Sequence, residues 1–479
     1  MFGELDRRKF FHWGLSGVGA TALVHLLMRD QTVLLGDDTQ QALAEIPHFV
    51  PRAKRAVHIC LLGGMSHLDS FDYKPRLRDF HGKTLQTTEQ PDIFFGQVGL
   101  IRDSDWTFKQ RGQSGLWISD LFPNIAEHAD ELTVIRSMVS DSANHTPALF
   151  FANSGFQFNG FPSLGSWLSF GLGSETESLP DYVVLPDHRG DPNGGPSNWS
   201  NGFLPARHQG VAFKGTTQPV RDLFPAKAID KVTEEATLEY LKLLNERHLA
   251  QAGQDEALVA RMRSYELAAK MQLSVPEVSD LNNETAETQQ LYGIDQEKTR
   301  PTGQQCLLAR RLLERGVRFV QIFSGGPIGG NPRVSWDAHE NVKENHTIEA
   351  GLIDRPVAGL LADLKQRGML EDTLVLFTTE FGRTPFAQSA ADAVGPGRDH
   401  NRYGFSVWMA GAGLKPGFAF GETDEIGWKA TDHPVTWHDF HATVLKLFGI
   451  DHKRLTYYHN GIQRRLTNVH GHVVEEILA

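Results

Sequence analysis

Six short runs in this chain are largely apolar on both faces: Ala56 to Leu62, Leu132 to Met138, Tyr182 to Leu185, Val317 to Phe323, Thr373 to Thr379 and Phe405 to Ala410. A strand without a polar face has to be covered on both sides, as a central strand of a parallel sheet is. Helical stretches separate the runs, at Leu121 to Ala129, Gln304 to Arg315, Ile348 to Arg367 and Trp437 to Phe448. The expected architecture is therefore α/β, a three-layer sandwich with a mostly parallel central sheet and helices on both faces. Ligands of such sheets sit beyond the carboxyl ends of the strands, so chemistry is sought there.

The pattern predicts one domain over residues 52–479, interrupted by an irregular and helical insertion at about 187–300. Its first part, Asp187 to Gly215, is rich in Gly, Pro, Asn and Ser, and Ile229 to Met271 is charged with helical periodicity. With 40% hydrophobic and 22% charged residues, the chain lies near globular averages and away from disordered or multi-span membrane classes. The formal charge of −11 comes without a basic stripe, which speaks against a nucleic-acid partner. Only Cys60 and Cys306 are present, too few for a disulfide framework or a cysteine-based zinc site.

Residues 1–44 read as a targeting segment. Arg7-Arg8-Lys9-Phe10-Phe11 precedes a weakly apolar stretch from Trp13 to Met28, which resembles a twin-arginine export signal, with Ala42-Leu43-Ala44 as a small-residue cleavage site. The expected location is the periplasm or cell envelope, with membrane contact only through a retained signal. Oligomeric state is left open.

Four His/carboxylate groups lie at strand ends. After the first run, Gly63-Gly64 permits a tight turn before His67, Asp69 and Asp72, where the alternative is an Asp-rich turn. Asp337 and His339 follow the fourth run, with His346 seven residues on; imidazole with carboxylate suits zinc, manganese or iron. Glu380 ends the fifth run, with Arg383 beside it as a salt-bridge partner. Arg398, Asp399 and His400 precede the sixth, fitting a metal ligand with its supporting shell or an anion clamp. Together they suggest a metal-assisted site for an oxyanion ester.

The segments Gly63-Gly64-x-Ser66-His67-x-Asp69-x-Phe71-Asp72-x-Lys74-Pro75, Asn144-His145, Trp336-Asp337-x-His339, Thr379-Glu380-Phe381-Gly382-Arg383-Thr384-Pro385, Gly397-Arg398-Asp399-His400 and Gly421-x-Thr423-Asp424-Glu425-x-Gly427 resemble the signatures of the domain-of-unknown-function 1501 family. The resemblance spans about Arg52 to Asp451. That family is similar to alkaline phosphatases, arylsulfatases and cofactor-independent phosphoglycerate mutases, so the resemblance implies an alkaline phosphatase-like fold and a metal site. Relatives of that kind place a nucleophile at a helix start about ten residues before Ser-Gly or Thr-Gly. Counting back from Ser154-Gly155 reaches His145, where sulfatases carry a modified cysteine; aligning Asp141-Ser142-Ala143 with phosphatases makes Ser142 the nucleophile instead. Glu380 and Phe381 stand where the superfamily has Asp followed by His or Asn.

The expected function is exported, metal-dependent hydrolysis of phosphate or sulfate esters, sulfated polysaccharide included. Asp337, His339 and His400 would hold one divalent metal, zinc first, with manganese, iron, calcium and magnesium open. His67, Asp69, Asp72, His145, Glu380 and Asp399 would complete a second site or bind substrate. Ser142, His145 or water would attack, and Arg383 and Arg398 would clamp the non-bridging oxygens. The rival is a non-catalytic envelope protein binding an anionic polysaccharide or a protein. A phosphomutase capped by Ile229 to Met271 is the third reading.

Overall fold

The computed structural model describes residues 46–479, apart from 88–90, 92–96, 215–219, most of 221–269, 273 and 331. The export-signal reading at 1–44 and most of the helical excursion at Ile229 to Met271 lie outside the described residues. No helix among the described residues is long and apolar enough to cross a membrane.

The central sheet has nine strands: β1 Arg55–Leu61, β2 Leu132–Val139, β3 Tyr182–Leu185, β4 Val211–Ala212, β5 Phe319–Ser324, β6 Thr373–Thr379, β7 Phe405–Ala410, β8 Phe418–Phe420 and β9 Val435–Thr436. Their order is β8-β2-β7-β6-β1-β5-β3-β4, with β9 also beside β2. Every pairing is parallel except those of β7, which runs against both β2 and β6. The mostly parallel sheet expected from the apolar runs is what forms, and the strand boundaries shift by two residues at most.

Among the described residues, five main helices cover it: α1 His145–Ser154, α2 Leu164–Leu172, α3 Arg300–Glu314, α4 Val342–Gln366 and α5 Trp437–Leu447. Period-two alternation along each strand sends neighbouring side chains to opposite faces. Val57, Ile59 and Leu61 of β1, with Val375 and Phe377 of β6, pack under α3 and α4. Ala56 and Cys60, with Leu374 and Leu376, pack under α1, α2 and α5. The strands are thus buried on both sides, which explains their missing polar face.

One element departs from expectation. A helix from Leu121 to Ala129 is replaced by a 3-10 segment, Ile125–Glu131, kinked at His128. Pro123 disfavours helical backbone at Phe122, so no helix runs through from Leu121. The segment's first amides are instead satisfied by the Asp354 carboxylate of α4, which accepts from Asn124 and Ile125 at 2.9 and 2.8 Å. Residues 187–214 form loops and two 3-10 turns, and contribute the two-residue edge strand β4.

Candidate metal centre

The carboxyl edge of the sheet gathers loops from four strand ends. After β1, Gly63 adopts φ +116°, and a Cβ there would lie 2.4 Å from the Asp337 amide nitrogen. Only glycine lets the Trp336-Asp337 segment after β5 come this close. The Trp336 amide donates to Leu62 O at 2.8 Å, fixing that approach. After β6, Gly382–Arg383 forms a short antiparallel ribbon with His400–Asn401, which places His400 opposite Arg383. After β2, α1 starts at His145 and stops at Gly155, whose left-handed backbone (φ +73°) ends the helix.

These loops bring His145, Asp337, His339 and His400 together, one donor atom from each lying within 4.8 Å of the others. Asp337 Oδ1 is 3.0 Å from His339 Nε2, 3.4 Å from His145 Nε2 and 3.4 Å from His400 Nε2. His339 Nε2 and His400 Nε2 are 2.9 Å apart. Metal–ligand bonds of about 2.0–2.1 Å set tetrahedral ligand atoms roughly 3.3 Å apart, close to these four separations, while the set as a whole spans up to 4.8 Å.

The supporting contacts aim the imidazoles. His145 Nδ1 lies 2.8 Å from Glu380 Oε1, and His400 Nδ1 lies 2.7 Å from the Ala143 carbonyl oxygen. Neither partner can donate when Glu380 is ionised, so both rings carry the proton on Nδ1 and turn the Nε2 lone pair toward the cluster. His145 Nε2 is buried without a hydrogen-bond partner, an orphan that a cation would satisfy. Glu380 is fully buried and also accepts the Gly63 amide at 2.9 Å. It therefore stands behind His145 as an orienting carboxylate.

Charge balance follows. Burial lowers His400 well below the usual imidazole range, reinforced by the Arg383 charge and the two neighbouring histidines, so it is neutral. Burial also pulls His145 down, but the neighbouring Asp337 and Glu380 carboxylates outweigh it and the net shift is upward. For Asp337, burial is overcome by the Arg383 charge and the three histidines, which hold the carboxyl far below its ordinary value. Arg383 Nη2 contacts Asp337 Oδ1 at 2.7 Å, and Arg333 holds Oδ2.

Other residues singled out from the sequence lie elsewhere. His67 is buried with Nε2 on the Gly427 carbonyl oxygen at 2.8 Å. Asp69 is paired with Arg398, Nε to Oδ2 at 2.7 Å, and both side chains are fully buried. Asp72 pairs with Lys74 at 3.1 Å and accepts from Thr423. His346 accepts the Ser66 amide at 2.9 Å. Asp399 accepts the His400 amide at 2.7 Å and stays 3.9 Å from His339 Nδ1. Ser142 closes a local turn, its hydroxyl accepting from the Asn144 amide at 3.1 Å. Arg383 and Arg398 are fully buried, with their donors directed to protein carbonyls and carboxylates.

A cleft of about 350 Å3 meets the cluster at Asp337 alone; Arg333, Glu340, Glu344 and Ile348 are among its walls. Sequence reasoning missed Arg333. Its only advance signal was its place four residues before Asp337 at the end of a Gly/Pro-rich loop.

The sheet and its edge cluster define an α/β protein with a candidate His/Asp metal centre. The chain belongs to the family described as "Protein of unknown function (DUF1501)", whose model matches residues 53–478. No curated protein matches it. Among solved structures, it is similar to the PsFucS1 sulfatase from Pseudoalteromonas sp. (14% identity, 89% of this chain and 76% of that one, TM-score 0.35). It is also similar to the phosphonate monoester hydrolase SpPMH from Silicibacter pomeroyi (12%, 68% and 68%, TM-score 0.33). A third is a TAB5 alkaline phosphatase mutant with Mg bound (11%, 84% and 98%, TM-score 0.33). At this distance no residue role is carried across.

Proposed function

We propose that this chain is a metal-dependent hydrolase of phosphate or sulfate esters, with the metal held by His145, Asp337, His339 and His400. The observation that carries the reading is the convergence of three imidazole Nε2 atoms on Asp337 Oδ1, with two of the rings held in the ligating tautomer from behind. Nitrogen-rich donors favour zinc, manganese or iron over calcium or magnesium, and zinc is our first choice. A bound cation would supply Lewis acidity toward the ester oxygen.

The chain's own residues supply the rest. Glu380 keeps the His145 ring in position, and Arg383 keeps Asp337 ionised and aligned. Ser142 is engaged in its own turn, so we assign the attack to water rather than to Ser142. Glu340 and Glu344 at the cleft walls repel a polyanion, which places a small monoester ahead of sulfated polysaccharide.

One observation favours a second reading. Four protein donors complete a tetrahedral zinc shell, and closed shells are typical of structural sites. A non-catalytic envelope binding protein would need no open position. The deciding experiment is metal analysis of the purified protein, the visible spectrum of its cobalt form, and aryl phosphate and aryl sulfate turnover by wild type and His339→Ala. One bound metal with turnover lost in the variant supports the hydrolase. A four-coordinate cobalt spectrum without turnover supports the binder, and no bound metal ends both.

Export belongs to the same proposal and rests on Arg7-Arg8 and the apolar stretch behind them. Cell fractionation of an Arg7→Lys/Arg8→Lys variant tests it; continued export would count against a twin-arginine route.

A further inference from the structure

We propose that Arg333 is the anion-binding residue of the metal centre, and that Glu340 is a resident carboxylate which substrate displaces from it. This rests on the metal-centre reading above and adds to it the group that recognises the oxyanion.

The arginines expected to grip an anion are committed elsewhere. Arg383 donates to Gly64 O at 2.8 Å, to Arg398 O at 3.2 Å, to Gly63 O and to Asp337. Arg398 bonds Asp69 and the carbonyls of Arg102, Thr384 and Asp103. Turning either toward a ligand would orphan buried carbonyl oxygens or leave a buried carboxylate unpaired.

Arg333 differs in each respect. Its side chain is 25% exposed and it lines the cleft that reaches Asp337. Nη1 donates to Asp337 Oδ2, the second oxygen of the carboxylate whose Oδ1 meets the three imidazoles. One end of the guanidinium is therefore a single carboxylate away from the donor cluster. Its other edge makes two parallel bonds to Glu340, Nε to Oε2 and Nη2 to Oε1, each 2.6 Å. That fork is the geometry with which arginine takes a phosphate or sulfate, and a carboxylate occupies it here.

The occupant is replaceable. The Glu340 side chain is 66% exposed, so solvent screens the pair and little is lost when it opens. The loop carrying Arg333 is also lightly packed. Gly329 and Gly330 have φ of +100° and +87°, and a Cβ at either would meet nothing within 4 Å. The ligand class is a tetrahedral oxyanion, free or as a monoester, bound by the Nε/Nη2 edge after Glu340 turns to solvent.

The test is calorimetric titration of the zinc-loaded protein with inorganic phosphate and with sulfate, with metal content measured for every sample. Arg333→Ala is expected to weaken anion binding roughly tenfold to a hundredfold at unchanged metal content, with Arg333→Lys in between. Glu340→Gln is expected to tighten binding several-fold, because the competing charge is gone. Wild-type anion affinity in Arg333→Ala, or no gain in Glu340→Gln, overturns the proposal while the metal centre stands. Metal loss confined to Arg333→Ala also overturns it, since the arginine would then only position Asp337. A wild-type protein that takes up no metal brings down the centre itself, a separate outcome read from the same samples.

Discussion

Glu380 Oε1 bridges two ends of the sheet edge, lying 2.8 Å from His145 Nδ1 and accepting the Gly63 amide at 2.9 Å. The bond to His145 sets which ring nitrogen faces the cluster. Glu380→Gln keeps the shape but removes the charge that fixes the tautomer. Metal affinity is expected to fall about tenfold to a hundredfold, read by competition against a chromogenic chelator. Unchanged affinity would mean that His145 is not a ligand.

Asp69 and Arg398 form a buried pair removed from the cluster. Asp69→Ala strands the Arg398 guanidinium without its counter-charge, at an expected cost of about 3–5 kcal/mol in urea unfolding. Metal stoichiometry of the folded fraction should stay as in wild type. A variant that unfolds normally but loses metal would put Asp69 among the ligands.

A Cβ at Gly63 would lie 2.4 Å from the Asp337 amide nitrogen. Gly63→Ala forces a side chain into left-handed backbone and against Asp337, and is expected to lower stability on the order of 3 kcal/mol. Thermal melting checks this, and Gly82→Ala is the comparison. Gly82 also has positive φ, but a Cβ there meets nothing within 4 Å, so any excess loss at Gly63 measures the steric conflict.

Stability should fall on mild acidification. Burial lowers His58, His208 and His441 from 6.5 to about 3. Between those values the unfolded chain binds protons that the native protein refuses, so stability rises with pH there. The contribution is complete above about 6.5 and is lost as pH drops toward 3, at about 1.4 kcal/mol per pH unit for each histidine. Urea unfolding at pH 7, 6 and 5 measures the slope; a flat profile would contradict neutral burial.

The strands were legible because burial on both faces removes most polar positions, a pattern few other structures share. Thr373–Thr379 and Phe405–Ala410 match to the residue for that reason. The antiparallel direction of β7 was not legible, since an apolar run reads alike in both directions. At the site, Asp337, His339 and His400 could be grouped because their segments resemble those that carry the metal-binding Asp and His of alkaline phosphatases. The position of Glu380 behind His145 depends on Gly63 admitting Asp337, a tertiary contact without a local signal. His67, Asp69 and Asp72 share the ligand chemistry of the cluster, and only their partners Gly427, Arg398 and Lys74 show where they are spent.

The cluster is built from widely separated parts of the chain, His145 and Glu380 being 235 residues apart. No fragment ending before His400 contains the whole donor set, so the centre comes into being only after β1 to β6 have been made. Metal capture would then favour a chain folded as far as His400 over every shorter intermediate.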